Sequence, residues 1–312
     1  MGFETDQKMV DGDGGYISDD SSFYGDDNLR TALTQRANDY DPSTYWQTHP
    51  HQLSTIAATA RAKASKPPKP SDPTTKPFNP YEGHLSSRQL SEPVPDFLSR
   101  LPPSTTLTAN IGFPWIRIAN PYKPIHPLSE DWAQFTNAAN GSLNGFRTAR
   151  AEIEASVAGK SKATATRKIT PVRKQLEADI LSAAQQTGCT TGKWMLFVAR
   201  EDVDYVWGKV AQGTAEDELG VAAKVAAAAG GEEGRERLIC VYTRDFEDKV
   251  DVGRVLRGLK GMGLLLNGDG NERVIYYKCD ALTHLGLNSG NEFGIKASMY
   301  SSKDILADKE ET

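Results

Sequence analysis

A chain of 312 residues with a formal net charge of −5 has room for one large domain or two small ones, and is too near neutral to be a bulk binder of polyanions. No apolar run reaches the roughly 20 residues of a membrane span, and Met1-Gly2-Phe3-Glu4-Thr5-Asp6 has neither a signal-peptide core nor the Ser or Thr that myristoylation requires at Asp6. Cys189, Cys240 and Cys279 lack the short spacing of a zinc site or redox pair, and as buried thiols they point to a reducing compartment, cytoplasmic or nuclear.

Residues 1–41 carry ten Asp/Glu against Lys8, Arg30 and Arg36, with little aliphatic area to offset the entropy of ordering, and are expected to be disordered. Lys66 to Pro80 then holds six prolines in fifteen residues, a composition that favours an extended linker. The reading is a disordered acidic arm and Pro-rich linker over 1–104, and a single domain over 105–312. Residues 1–104 have 14 acidic and 10 basic side chains, which leaves 27 and 26 of the chain's 41 and 36 for the domain, a net of −1. Contact with nucleic acid must then be local, and no DNA partner is expected.

Within the domain, Trp115 to Ile118 alternates as a half-buried strand and Asn120-Pro121 ends it. Ser129, followed by Glu130 and Asp131, caps a helix with Trp132, Phe135 and Ala139 on one face, weakening beyond Gly141 and Gly145. Lys160 to Lys174 reads as a basic, solvated loop, its other reading being a phosphate-binding or nuclear-import patch. Leu176, Ile180 and Ala184 mark an amphipathic helix closed by Gly188. Lys193 to Ala199 is apolar on both faces and so a central strand.

Val203, Val206, Trp207 and Val210 give the next helix, Leu219–Val225 and Leu238–Thr243 adjacent strands, and Asp248–Met262 a further helix. Asn267-Gly268 and Asp269-Gly270 mark a turn before a strand at Val274–Lys278, with an edge strand at Lys296–Tyr300. This order predicts an α+β fold with a largely antiparallel sheet backed by helices on one face.

Chemical motifs are sparse. Gly159-Lys160-Ser161 would need Gly where Glu154 stands to be a phosphate loop, and Gly192-Lys193 runs into Trp194 and a strand. His49, His51, His84, His126 and His284 form no metal-spaced cluster, and there is no Gly-x-Ser-x-Gly elbow. His284 near Asp280 is a candidate general base without a partner nucleophile, so an enzyme is the lesser reading, with no catalytic residue, metal or cofactor assigned. Trp115, Trp132, Trp194 and Trp207 are explained as core by alternation or helical spacing.

The segments Trp115-Ile-Arg-Ile-Ala-Asn-Pro121, Ser129-Glu-Asp-Trp132, Gly192-Lys-Trp-Met-Leu-Phe197, Val206-Trp207, Leu219-Gly-Val-Ala-Ala-Lys224, Ile239-Cys-Val-Tyr-Thr243 and Asp251-Val-Gly-Arg-Val-Leu256 resemble, in order, the uncharacterised basophilic-leukaemia-expressed-protein family. That resemblance implies the fold of the messenger-RNA cap-binding translation initiation factors of the 4E type, with a curved sheet backed by three helices. Gly192-Lys193-Trp194 resembles a structural Gly-Lys/Arg-Trp of those factors, and Tyr242 takes the position of a Trp that borders their ligand. The Trp-Glu pair that grips methylated guanine is absent before Gly192, where the chain reads Gln185-Gln186-Thr187-Gly188, and the only aromatic in the loop after the first strand is Tyr122. Lys224, Arg235 and Arg237 are approximate counterparts of the phosphate-binding cations.

A methylated guanine is held by two rings and a carboxylate, so the fold carries over while cap binding does not. The sequence thus reads as a non-catalytic binding or interaction module for an unidentified protein partner. Its alternative is a nucleotide- or RNA-binding protein using the concave face, with Tyr122, Tyr242, Lys224, Arg235 and Arg237 as candidate ligand contacts.

Overall fold

The computed structural model describes residues 27–39, 77–123, 130–159, 161–229, 235–266 and 272–307. His49, His51, His126, the connection at 230–234 and the turn at 267–270 lie outside these residues, as does most of the segment expected to be disordered. Two units divide the chain, Met1–Asp72 and Pro73–Thr312.

Of the first unit, helix α1 (Asp27–Asp39) is described. This helix falls within the arm expected to be disordered, most of which lies outside the described residues. Ala32, Gln35 and Arg36 are good helix formers, and Arg36 sits in the last turn, where a cation suits the helix dipole.

The second unit starts earlier than the boundary expected at residue 105. Helix α2 (Val94–Arg100) follows Pro93 and carries Pro95 in its first turn, where a missing N–H costs nothing. Val94, Phe97 and Leu101 are all buried in the core, and Phe97 meets Trp207 edge-on at 6.4 Å. Proline content masked a short amphipathic helix. A one-turn helix, α3 (Thr108–Ile111), leads to strand β1 (Trp115–Ala119).

Helix α4 (Trp132–Ser156) is capped by Asp131, whose carboxylate accepts the Gln134 N–H at 2.8 Å, and runs unbroken through Gly141 and Gly145 because Phe135, Ala139, Leu143 and Phe146 anchor one face. Helix α5 (Lys162–Gln186) absorbs most of the basic stretch expected to be a loop. Its buried anchors are Leu176, Ile180 and Ala184, while Ile169 and Val172, packed against the core, hold the basic half. Next come β2 (Gly192–Val198), α6 (Val203–Ala215), β3 (Ala222–Ala226), β4 (Arg237–Thr243), α7 (Lys249–Gly261), β5 (Tyr276–Cys279), the short α8 (Asp280–His284), β6 (Tyr300–Ser301) and α9 (Ser302–Ala307). β3 and β5 are shifted and shorter than expected, and the last strand begins at Tyr300 rather than Lys296.

The sheet has the order β1-β3-β4-β2-β5-β6, with every strand pairing antiparallel. Ile116, Ile118, Ala223, Val225, Ile239, Val241, Trp194, Leu196 and Tyr277 point to one side and join the helical side chains in a single core. Trp194 is fully buried; its indole N–H donates to the Val252 carbonyl at 3.0 Å and its ring stands edge-on to Tyr277 at 5.3 Å. A Cβ on Gly192 would overlap the Tyr277 side chain, so this position of the central strand requires glycine. The architecture is α+β, with the large helices on one side of the sheet.

Candidate ligand-binding face

Alternation sends the other residues of each strand to the side of the sheet away from the core. These are Trp115, Arg117 and Ala119 on β1; Ala222, Lys224 and Ala226 on β3; Leu238, Cys240 and Tyr242 on β4; Lys193, Met195 and Phe197 on β2; and Tyr276 and Lys278 on β5. Four are cationic and none is acidic. The register sets Arg117 opposite Lys224 and Lys224 opposite Cys240; one row along, Tyr242 lies opposite Lys193, and Lys193 opposite Lys278.

Each cation is held differently. Lys193 is buried, donates to a carboxylate oxygen of Asp280 and donates to Thr283 Oγ1 at 3.0 Å. The second Asp280 oxygen accepts the Thr191 hydroxyl at 3.0 Å. Lys278, also buried, donates to the Leu287 carbonyl and Asn288 Oδ1, both at 3.0 Å, so dipoles rather than a carboxylate solvate it. Lys224 lies over Trp115 at 4.3 Å and Tyr242 at 5.4 Å, while Arg117 stacks on Phe113 at 3.9 Å and Tyr81 at 5.3 Å. Among the described residues, neither Lys224 nor Arg117 has an ion pair.

Burial dominates the proton affinities here. It lowers the Lys224 ammonium below its ordinary value, and lowers Lys278, with the neighbouring Lys193 charge acting the same way. It pushes the Tyr242 hydroxyl well up, with Asp280 adding to the rise, and the Cys240 thiol up to about 11. The face is a desolvated cluster of positive charge and π-faces balanced by one carboxylate. A bound anion would relieve that excess, and flat rings could stack beside it.

Tyr81 covers one end of the face, packed against Ala119, Val221 and Ala222 together with Tyr242. Its loop is tied down locally: Asn79 Nδ2 donates to Glu82 Oε2 at 2.9 Å and the Arg88 carbonyl at 2.7 Å, and the Tyr81 N–H donates to Asn79 Oδ1 at 3.0 Å. The segment then runs parallel beside β1, with the Arg117 N–H donating to the Ser86 carbonyl at 2.9 Å and the Arg88 N–H to the Arg117 carbonyl at 3.0 Å.

The family model described as basophilic leukemia-expressed protein Bles03 matches residues 33–286, most of the chain. The chain belongs to the Bles03 family. The Bles03 match contains Tyr81, all four cations of the face and Asp280.

Of the site residues expected from the likeness to the cap-binding factors, Lys224 and Tyr242 are brought together on this face. Tyr122 is not with them: it is 46% exposed beyond β1, its N–H donates to Asn120 Oδ1, and Arg88 is its charged neighbour. Tyr81 packs beside Tyr242 instead. Arg237 is 4% exposed and shares the core-facing parity of Ile239 and Val241, so it is on the wrong side of the sheet for this face. Arg235 is exposed ahead of β4.

Arg117, Lys193, Lys278, Asp280 and Tyr81 were not singled out as ligand contacts, and Trp115, read as core, stands on this face instead. The signal available was a single cation in each of four otherwise apolar strands. Asp280 and His284 form no dyad: Asp280 holds Lys193 and Thr191, while His284 Nε2 is 3.0 Å from Thr136 Oγ1 and its ring lies 4.8 Å from Trp132. Among the described residues no group of His, Cys, Asp and Glu could hold a metal ion, and no helix is long and apolar enough to cross a membrane.

Proposed function

We propose that this chain is a non-catalytic binding module that takes a phosphorylated ligand of the nucleotide or RNA class on the face of its sheet away from the large helices. The observation that carries the reading is Lys224 and Arg117, two adjacent cations that have no ion pair among the described residues, each resting on aromatic rings. Desolvated cations attract phosphate more strongly than solvated ones, and rings beside them supply a surface for a base. A protein partner meeting this face would need acidic groups to match it.

The fold of the cap-binding factors of the 4E type is part of the same proposal, supported by the antiparallel sheet and one-sided helices. Recognition of methylated guanine is not. Asp280 is the carboxylate near Tyr242, and it is already committed to Lys193 and Thr191, so its charge is offset by the Lys193 ammonium rather than left to face a cationic guanine.

Titrating GTP and its 7-methyl analogue against the full chain, by calorimetry at low and physiological salt, tests both parts. The expected result is weak binding of both nucleotides with no methylation preference, fading as salt rises and lost in Lys224→Ala. Absence of binding at millimolar nucleotide, or a Lys224→Ala variant that binds normally, would overturn the reading; a strong preference for the methylated form would overturn its second half.

A further inference from the structure

The cation cluster occupies part of the sheet face away from the large helices, and the rest differs in character. Phe197 and Tyr276 are 49% and 50% exposed, although each lies in a strand whose alternate residues are fully buried. Tyr276 is opposite Met195, which places Phe197 diagonally across from it, at the roughly 7–8 Å at which such neighbours can still cooperate. Met195, partly buried, lies between the two rings, and Leu238, also partly buried, flanks Phe197 on its other side. Two aromatic side chains are therefore presented side by side to solvent, on the sheet face that also carries Lys224 and Lys193.

We infer that Phe197 and Tyr276 are base-stacking platforms of a single-stranded polynucleotide site whose phosphates run toward Lys224 and Arg117. The inference rests on the proposed function and deepens it, from a phosphorylated ligand to an extended strand. Charge complementarity selects the occupant: the strand positions of this face include four cations and no acid, which attract a phosphate backbone, whereas an uncharged apolar partner surface would desolvate those charges without pairing them. Length selects an oligomer over a mononucleotide. From Lys224 through Cys240 and Met195 to Tyr276 one row crosses three strand gaps, about 14 Å at roughly 4.8 Å each, more than one nucleoside covers. Stacking needs no base-specific hydrogen bond, so a site built this way is tolerant of sequence and excludes duplex, whose bases are already stacked.

The test uses the full chain and fluorescence anisotropy with a labelled twelve-residue oligouridylate, its deoxy counterpart, a hairpin duplex and competing UMP. Binding is expected to tighten from UMP to the twelve-mer for either sugar, the ratio of the two identifying RNA or DNA, while the hairpin competes poorly. Phe197→Ala and Tyr276→Ala should each weaken the twelve-mer by on the order of tenfold and leave UMP unchanged, whereas Lys224→Ala should weaken both. Both aromatic positions are half exposed, so circular-dichroism melts of these variants should match the parent, and Phe197→Tyr, which keeps the ring, should restore binding. A twelve-mer bound no more tightly than UMP, or aromatic variants that bind it normally, would overturn this inference and leave the mononucleotide reading standing. Loss of UMP and twelve-mer binding alike in the parent chain would overturn both. If Phe197→Ala instead dissolved a self-association seen by sedimentation, with oligonucleotide affinity unchanged, the platform would belong to a protein interface and the inference would fail.

Discussion

Lys193 and Asp280 provide the sharpest test of how the face is built. The Lys193 side chain is 6% exposed and that of Asp280 23%, and the two form an ion pair at the end of the sheet. Lys193→Met keeps the length of the side chain but leaves Asp280 without its cation; Asp280→Ala leaves a buried ammonium with Thr283 as its remaining partner. Breaking a buried pair from one side typically costs about 3–5 kcal/mol, because the survivor stays desolvated, whereas replacing both groups by apolar ones is often neutral. Partial exposure of Asp280 and the Thr283 hydrogen bond place each single variant at the lower end, about 3 kcal/mol. At an m-value of about 3 kcal/mol/M, that is a shift of about 1 M in the urea midpoint. The double variant should recover to within about 1 kcal/mol of the parent, the remainder reflecting the Thr191 hydroxyl that loses its acceptor. Urea unfolding followed by tryptophan fluorescence, run as a full double-mutant cycle, measures the coupling directly. Single variants that cost under about 0.5 kcal/mol, or effects that simply add in the double, would refute the assignment of this pair as a buried, mutually dependent unit.

Truncation provides a second prediction: removing residues 1–72 should leave the thermal midpoint of the second unit unchanged, whereas removing 1–104 strips Val94, Phe97 and Leu101 from the core and should prevent recovery of folded protein, as judged by expression and a calorimetric melt. Trp194→Ala should destabilise by about 3–5 kcal/mol, since it deletes a fully buried indole and its hydrogen bond to Val252; a variant as stable as the parent in urea would show that the ring is dispensable to the core.

The element order from Gly192 to Leu259 was legible because each element carries its own periodicity. Val203, Trp207 and Val210 repeat as a helix must, and Trp194, Leu196 and Val198 alternate as a strand must. Local composition misled where the deciding contacts were distant. The proline run of Lys66 to Pro80 suggested arm and linker for everything up to residue 104, yet Phe97 is fixed by Trp207, more than a hundred residues on. Glycines in α4 suggested a break, yet Phe146 and Leu143 hold that stretch against the core. The central position of β2 was read from apolar residues on both faces, and it does lie between β4 and β5, although Phe197 remains half exposed. Lys224 and Tyr242 were found by resemblance. Their neighbours Lys193, Arg117 and Lys278 depend on strand register, which no local pattern encodes. Arg237 was misassigned for the same reason: a single step along β4 separates the two faces.

The short stretch Ser86–Arg88 has a consequence for the chain's behaviour in a crowded solution. An outermost strand normally presents a row of unmet N–H and C=O groups that can recruit another molecule into a growing sheet. Here the Arg117 N–H and carbonyl on the outer side of β1 are both engaged by this stretch, and the opposite border of the sheet is a strand of two residues that turns at once into α9. Both borders thus offer little to intermolecular pairing, one being covered at the centre of β1 and the other only two residues long. A chain lacking Ser86–Arg88 would expose β1 along its length and acquire a route to aggregation that the intact protein does not have.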